Sequence, residues 1–214
     1  MQADFWHERW AKGETAFHEK DINPLLSAHF SHLNLVSGQA VFVPLCGKTH
    51  DISWLLQQGY SVVAAELSEV AIKELFNQLG IEPQISNFAA GLRYQGPNLD
   101  IFVGDIFSLN SQQLGHIAAV YDRAALVALP EPMRKQYTQH IRTITQHAPQ
   151  LLICFNYEQA KMDGPPFSVT EDEVKQHYAQ HYHIDRLYSE SLVGGLKGKV
   201  AALQQVWLLQ NKVS

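Results

Sequence analysis

Val41-Phe-Val-Pro-Leu-Cys-Gly-Lys-Thr49, followed by Val62-Val-Ala-Ala-Glu-Leu-Ser68, decides the fold. Ala40 to Val43 is a short apolar run, and Pro44, which has no N–H for a sheet ladder, closes it. Gly47 then permits a tight turn or a close approach of the backbone to a ligand. Ile52, Leu55 and Leu56 share one helical face at i, i+3 and i+4, and Gly59 stops that helix. A second apolar run, Val62 to Ala65, ends on Glu66, which lies 66 − 47 = 19 residues beyond the glycine. Strand, glycine turn, helix, strand, acid is the order of a βαβ unit whose acid can accept from both hydroxyls of a ribose. A similar unit whose Glu66 merely faces water fits the same pattern.

The nucleotide fingerprint is incomplete. Only one glycine of G-x-G-x-x-G is present, so a pyrophosphate would lack the glycines that let backbone close on it. Gly47-Lys48-Thr49 resembles the end of a P-loop, but Phe42 stands where that motif needs its first glycine. What remains is a nucleoside site without a diphosphate cradle. S-adenosylmethionine, which has ribose and adenine but no phosphate, fits that description. A nicotinamide-dependent dehydrogenase would share the Glu66 logic but needs the missing glycines, and a non-catalytic nucleoside-binding module remains open.

The 214 residues suffice for one α/β domain with a full core. The formal charge is 16 − 21 = −5, with no block of like charges and no basic patch of the kind that binds nucleic acid. No apolar stretch approaches the ~20 residues of a membrane span, and the start lacks the apolar core of a signal peptide. Cys46 and Cys154 lie in or at the end of apolar runs and read as reduced thiols of a cytoplasmic protein. Eleven histidines include His177 and His181 at i, i+4, but no His-Glu-x-x-His pattern accompanies them, so no metal is expected.

Outward from the central unit, Phe5, Trp6, Arg9 and Trp10 have helical spacing, and Asn23-Pro24 opens a second helix reaching about Leu33. The aromatics of this preamble either pack one more helix on the sheet or fold over a pocket as a lid. Ser68 caps a helix that Gly80 ends. Residues 82 to 98 read as loop with a short strand around Leu92 to Tyr94. Ile101 to Val103 is a strand closing on Gly104-Asp105-Ile106, where the carboxylate could take the exocyclic amine of adenine and Ile106 could pack on the ring; an ordinary turn aspartate is the other reading. Ile117 to Tyr121 is a strand ending in Asp122-Arg123, again on the ligand side of an open sheet, with a structural ion pair as the alternative. Gln150 to Asn156 is a buried strand, Phe167 stands at the tip of a stiff loop, and Thr170 with Glu173 forms a capping box. Arg186 to Leu192 and Val200 to Leu209 form a closing antiparallel hairpin.

Several blocks carry a family resemblance: Trp10-Ala-Lys-Gly-Glu-Thr-Ala-Phe-His18, Val41-Phe-Val-Pro-Leu-Cys-Gly-Lys48, Val62-Val-Ala-Ala-Glu-Leu-Ser68, Gly104-Asp-Ile-Phe107, Tyr121-Asp-Arg-Ala-Ala-Leu-Val-Ala-Leu129 and Gly164-Pro-Pro-Phe-Ser-Val169. They occur in order along most of the chain, which resembles the bacterial thiopurine S-methyltransferases. The resemblance implies a Rossmann-like class I methyltransferase fold: a mostly parallel seven-stranded sheet with helices on both faces and a C-terminal antiparallel hairpin. It implies one domain over 1–214, with an N-terminal helical lid (1–35) on a core (40–214). S-adenosylmethionine would be the methyl donor and S-adenosylhomocysteine the product. Trp10, Leu45, Glu66, Asp105, Ile106 and Arg123 would bind it, Phe17 and Phe167 would meet the acceptor, and Arg123 would favour the acceptor thiolate. The acceptor would be an aromatic or heterocyclic thiol, a thiopurine included, with selenium or tellurium compounds as the alternative, and the protein a monomer. Where the family often carries a late-loop arginine, this chain has Gly194-Gly-Leu-Lys-Gly-Lys199, so Lys197 or Lys199 would stand in its place.

Overall fold

The computed structural model describes residues 3–13 and 19–212. In chain order the elements are α1 (Ala3–Ala11), α2 (Pro24–His29), β1 (Ala40–Val43), α3 (His50–Gln57), β2 (Ser61–Glu66), α4 (Glu69–Leu79), β3 (Gln84–Phe88), β4 (Gly91–Gly96), β5 (Leu99–Gly104), α5 (Ser111–Leu114), β6 (Ala119–Arg123), α6 (Glu131–Ile144), β7 (Gln150–Tyr157), α7 (Glu171–Tyr178), β8 (Tyr182–Ser191) and β9 (Ala202–Asn211). The strands form a sheet in the order β3-β4-β5-β2-β1-β6-β7-β9-β8. The five central strands, β5 to β7, run parallel, and an antiparallel pair flanks them on each side.

Alternation along the strands builds a core on both faces. Val41, Val43, Val62 and Ala64 point to one side, where Leu26, Ile52, Ile72 and Leu75 of α2, α3 and α4 meet them. Phe42, Val63 and Ala65 point to the other, against Tyr137 and Ile141 of α6 and Val174 of α7. Parallel strands buried on both faces read as continuous apolar runs, which is why β1, β2, β5 and β7 were visible as such. Among the described residues no helix is long and apolar enough to cross a membrane.

The sheet has nine strands, not seven. The two beyond seven are the β3–β4 hairpin: the short strand expected around Leu92 to Tyr94 is the middle of β4, and β3 lies where the sequence reads as loop. β3 is an exposed edge strand whose Gln84, Ser86 and Asn87 show no apolar alternation, so the signal is missing rather than misread. The second helix stops at His29 and finishes as a 3₁₀ turn, and the last helix stops at Tyr178 because Tyr182 already pairs into β8. Thr170 caps α7 through the N–H of Glu173 (3.2 Å), but no capping box forms. The Glu173 carboxylate is turned to Arg134 of α6, taking its Nε and Nη2 at 2.5 and 3.0 Å, and to His177.

Asp122 is not paired with Arg123. Successive residues of β6 face opposite ways, and the wholly buried Asp122 accepts from the Leu126 N–H (3.0 Å) and the Tyr137 hydroxyl (2.7 Å). Burial pushes its carboxyl up to about 6, against the pull of these donors. A buried acid raised above its unfolded value favours folding while protonated, and that contribution disappears as pH rises through the folded pKa. Wild-type stability should therefore carry a falling component between about pH 4 and pH 6, on the order of 3 kcal/mol in all. Asp122→Asn should lack it, as urea denaturation at a series of pH values will show.

Candidate active site

A cavity of about 430 Å³ opens at the carboxyl ends of the parallel strands, within the ~300–1,000 Å³ typical of ligand sites. Its position follows from topology, since the connection from β1 runs one way across the sheet to β2 and that from β6 the other way to β7, opening a crevice between them. β2 lies on one side of β1 and β6 on the other. Each turn that leaves these strands contributes to the wall.

The turn after β1 is the tightest. Leu45 (φ +46°) and Gly47 (φ +53°) both adopt left-handed backbone, a conformation that costs a leucine energy and is retained where geometry is dictated from elsewhere. Here two bonds dictate it. The Cys46 N–H donates to the Ala65 carbonyl of β2 (3.0 Å), and the Gly47 N–H donates to Glu66 Oε2 (2.8 Å). The other carboxylate oxygen, Oε1, accepts from the Ser68 N–H (2.8 Å). Glu66 thus ends β2 buried, 6% exposed, with one backbone donor on each oxygen and its carboxylate on the cavity wall. Burial raises its pKa, and the N–H groups of Ser68, Gly47 and Leu67 work against that rise. The Cys46 thiol is buried and pushed up by burial and by Glu66, which makes it unreactive rather than nucleophilic.

Trp10 of α1 lies over this turn, buried, with the Lys48 ammonium 5.9 Å from its ring centroid. Leu45, Asp105 and Ile106 also line the cavity. Asp105 is exposed, and its Oδ1 accepts from the Phe107 N–H (3.0 Å); Ile106 is buried, and its carbonyl is held by the His140 ring (2.8 Å).

On the other side, Arg123 ends β6 facing the cavity, and its Nη2 meets Glu19 Oε1 at 2.5 Å. Burial opposes the guanidinium charge, but Glu19, Tyr121 and Asp51 outweigh it and raise its pKa. Ala124, next in sequence, is again left-handed at φ +64°. Pro165, Pro166 and Lys197 complete this end, with Lys197 Nζ donating to the Pro165 carbonyl (2.7 Å). Of the two late-loop lysines, Lys197 lines the cavity and Lys199 does not.

Trp10, Leu45, Glu66, Asp105, Ile106 and Arg123 thus lie around one cavity. Phe167 does not line it: its N–H is held by the Val127 carbonyl (2.6 Å) while the two prolines before it form the wall. Phe17 falls in residues 14–18, outside the described residues. Reasoning from sequence did not single out Asp51, Glu19 or Tyr121. Asp51 is buried on the wall, accepting from the Asn23 N–H (2.8 Å) and the Tyr121 hydroxyl (3.0 Å), and so ties α2, α3 and β6 together. An aspartate in a helix's first turn reads as dipole compensation, so nothing in sequence marked it. Among the described residues no group of three or more His, Cys, Asp or Glu could hold a metal ion.

A mostly parallel α/β sheet with a ribose-spaced acid at its central crevice, and without the glycines of a diphosphate cradle, fits the Rossmann-like class I methyltransferases. Among solved structures, the chain resembles the 1,6-didemethyltoxoflavin-N1-methyltransferase of Burkholderia thailandensis, with TM-score 0.65 and 15% identity over 98% of this chain and 87% of that one. The chain belongs to the thiopurine S-methyltransferase family, whose model matches residues 1–212. It is 48% identical over 212 residues to a thiopurine S-methyltransferase of Xanthobacter autotrophicus, covering 99% of this chain and all of the relative. It is also 48% identical over 214 residues to that of Teredinibacter turnerae, covering both in full. Family membership makes it an S-adenosylmethionine-dependent methyltransferase.

A side chain at Gly47 would put Cβ 3.2 Å from the Trp10 ring while φ is +53°. Gly47→Ala should therefore cost at least about 1 kcal/mol and displace Trp10. Thermal unfolding together with intrinsic tryptophan fluorescence will register both effects.

Proposed function

We propose that this protein transfers a methyl group from S-adenosylmethionine to the sulfur of a thiopurine or another aromatic or heterocyclic thiol. The observation that carries the reading is the two-sided cavity, with Glu66 at the end of β2 and Arg123 at the end of β6. The residues present suit the donor. Each Glu66 oxygen accepts one backbone N–H and keeps acceptor capacity, which matches a pair of ribose hydroxyls. Asp105 and Ile106 offer an acceptor and an apolar face for the adenine, while Leu45 and Trp10 enclose the middle.

When bound, S-adenosylmethionine supplies a methyl group already activated on a sulfonium, so the protein's share is alignment and exclusion of water. Pro165, Pro166 and Leu196 give the acceptor end apolar, stiff walls. Arg123 favours an ionised sulfur by its fixed charge. Its guanidinium meets Glu19 through Nη2 and has five N–H donors in all, which suits it to hold an acceptor as well. An aromatic thiol ionises readily enough that no dedicated general base is required. The described part of the N-terminal segment acts as the lid, with Trp6, Arg9 and Trp10 of α1 on the cavity wall.

Calorimetric titration with S-adenosylhomocysteine and radiolabelled transfer to 6-mercaptopurine test the reading. Glu66→Ala should weaken S-adenosylhomocysteine at least about tenfold, since a charged acceptor of hydrogen bonds contributes ~1.5–3 kcal/mol; unchanged affinity would remove Glu66 from the donor site. Arg123→Ala should lower kcat about tenfold or more and move the pH profile of kcat/KM to higher pH, as expected if the arginine promotes ionisation of the acceptor. Unaltered turnover and profile would refute that role.

A further inference from the structure

Among the described residues the cavity wall carries four cations, and ion pairs hold two of them. Arg123 is paired with Glu19, and Lys48 with Glu74. Arg9 and Lys197 also line the cavity, and among the described residues neither has a carboxylate partner. The Arg9 guanidinium lies over the Phe5 ring, 4.8 Å from its centroid, and its Nε is buried with no hydrogen-bond partner among the described residues. Leaving a charged donor buried and unsatisfied is costly, and such a group in a cavity wall is suited to a ligand. Lys197 uses one of its three donors on the Pro165 carbonyl. Its ammonium is held below the ordinary lysine value by burial and then by the charges of Arg9 and Lys199, so Arg9 and Lys197 repel one another. An anion between them would relieve the repulsion and satisfy the orphaned Nε together.

We propose that Arg9 and Lys197 form an anion subsite at the acceptor end, selecting methyl acceptors that carry a carboxylate or comparable oxyanion beside the nucleophilic sulfur. The inference rests on the reading of this cavity as a methyl-transfer site and adds the class of acceptor. The strand order argues that the anion belongs to the acceptor rather than to the methyl donor. Lys197 is fastened to the loop after β7, three strands across the sheet from β2 and Glu66, or about 14 Å at the usual ~4.8 Å strand spacing. Arg9 also makes α1 more than a cover, because the element that closes the cavity supplies half of the charge that reads the acceptor.

The test uses the protein saturated with S-adenosylhomocysteine, titrated with 4-mercaptobenzoate and with its neutral methyl ester, which differ chiefly in the charge remote from the sulfur. The acid should bind at least about tenfold more tightly than the ester, with a preference that weakens as salt is raised. Arg9→Gln and Lys197→Gln should each reduce the acid-to-ester ratio severalfold, and Arg9→Lys should retain part of it. The ratio is taken within each variant, so a general loss of folding cannot imitate the result. Equal affinity for acid and ester, or a preference that survives both glutamine variants, would overturn the subsite. A wild type without acid preference whose glutamine variants lose S-adenosylhomocysteine affinity would assign the two cations to the donor's own carboxylate, and would overturn it too. Methyl transfer to the ester, followed in parallel, judges the parent reading separately: transfer without acid preference removes the anion subsite alone.

Discussion

The Glu66 carboxylate, held between the Gly47 and Ser68 N–H groups, is the interaction on which the site depends. It joins the turn after β1 to the turn after β2, beside the bond from the Cys46 N–H to the Ala65 carbonyl. The bond explains why Leu45 tolerates a left-handed backbone, since the chain must swing inward to present the Gly47 N–H to the acid. It also explains Glu66's electrostatic condition. Backbone N–H groups are the main support of its charge, with a smaller contribution from His7, and burial raises its pKa in spite of them. A carboxylate so supported gains from further donors, which is the disposition expected of a group that receives hydroxyls.

Around that fixed point the protein separates two tasks. The β5–β2–β1 side supplies an acid, an exposed aspartate and apolar walls, and the β6–β7 side supplies cations and prolines. Ion pairs keep most of this charge in order: Glu19 on Arg123 at the cavity, and Glu173 on Arg134 behind it, where the α6–α7 contact supports the loop that begins at Leu129. Breaking a buried pair such as Arg134–Glu173 leaves an uncompensated charge, so its importance lies in completeness more than in net attraction.

The sequence made the parallel core legible because strands buried on both faces must be apolar throughout, as Val41 to Val43 and Leu151 to Cys154 are. Glu66 was legible because a βαβ unit fixes the distance between its turn and its acid. β3 was not, since an exposed edge strand owes its structure to ladder bonds rather than to burial. Asp122 shows a different limit. Adjacent to Arg123 in sequence, it faces the opposite side of the sheet, and only the strand's pleat distinguishes a cavity residue from a core one. Glu19 and Lys197 depend on where loops come to rest, and Asp51 on how α3 meets α2 and β6, and no local pattern encodes either. Lys197 in particular reaches the wall because its own backbone is left-handed, a choice that lysine does not announce.

β1 pairs with β2 on one side and β6 on the other, in continuous parallel register: Ala40 with Ser61, and Val41 with both Val62 and Ala119. Glu66 and Arg123 therefore end two strands that take their position from the same short third one. Two inter-strand steps set them roughly 10 Å apart at the backbone, and that interval is part of the hydrogen-bonded lattice rather than of any loop. The sheet serves as a ruler. Loops around the cavity can lengthen, change charge or accept new partners over evolutionary time while the gauge between the two anchoring side chains stays constant.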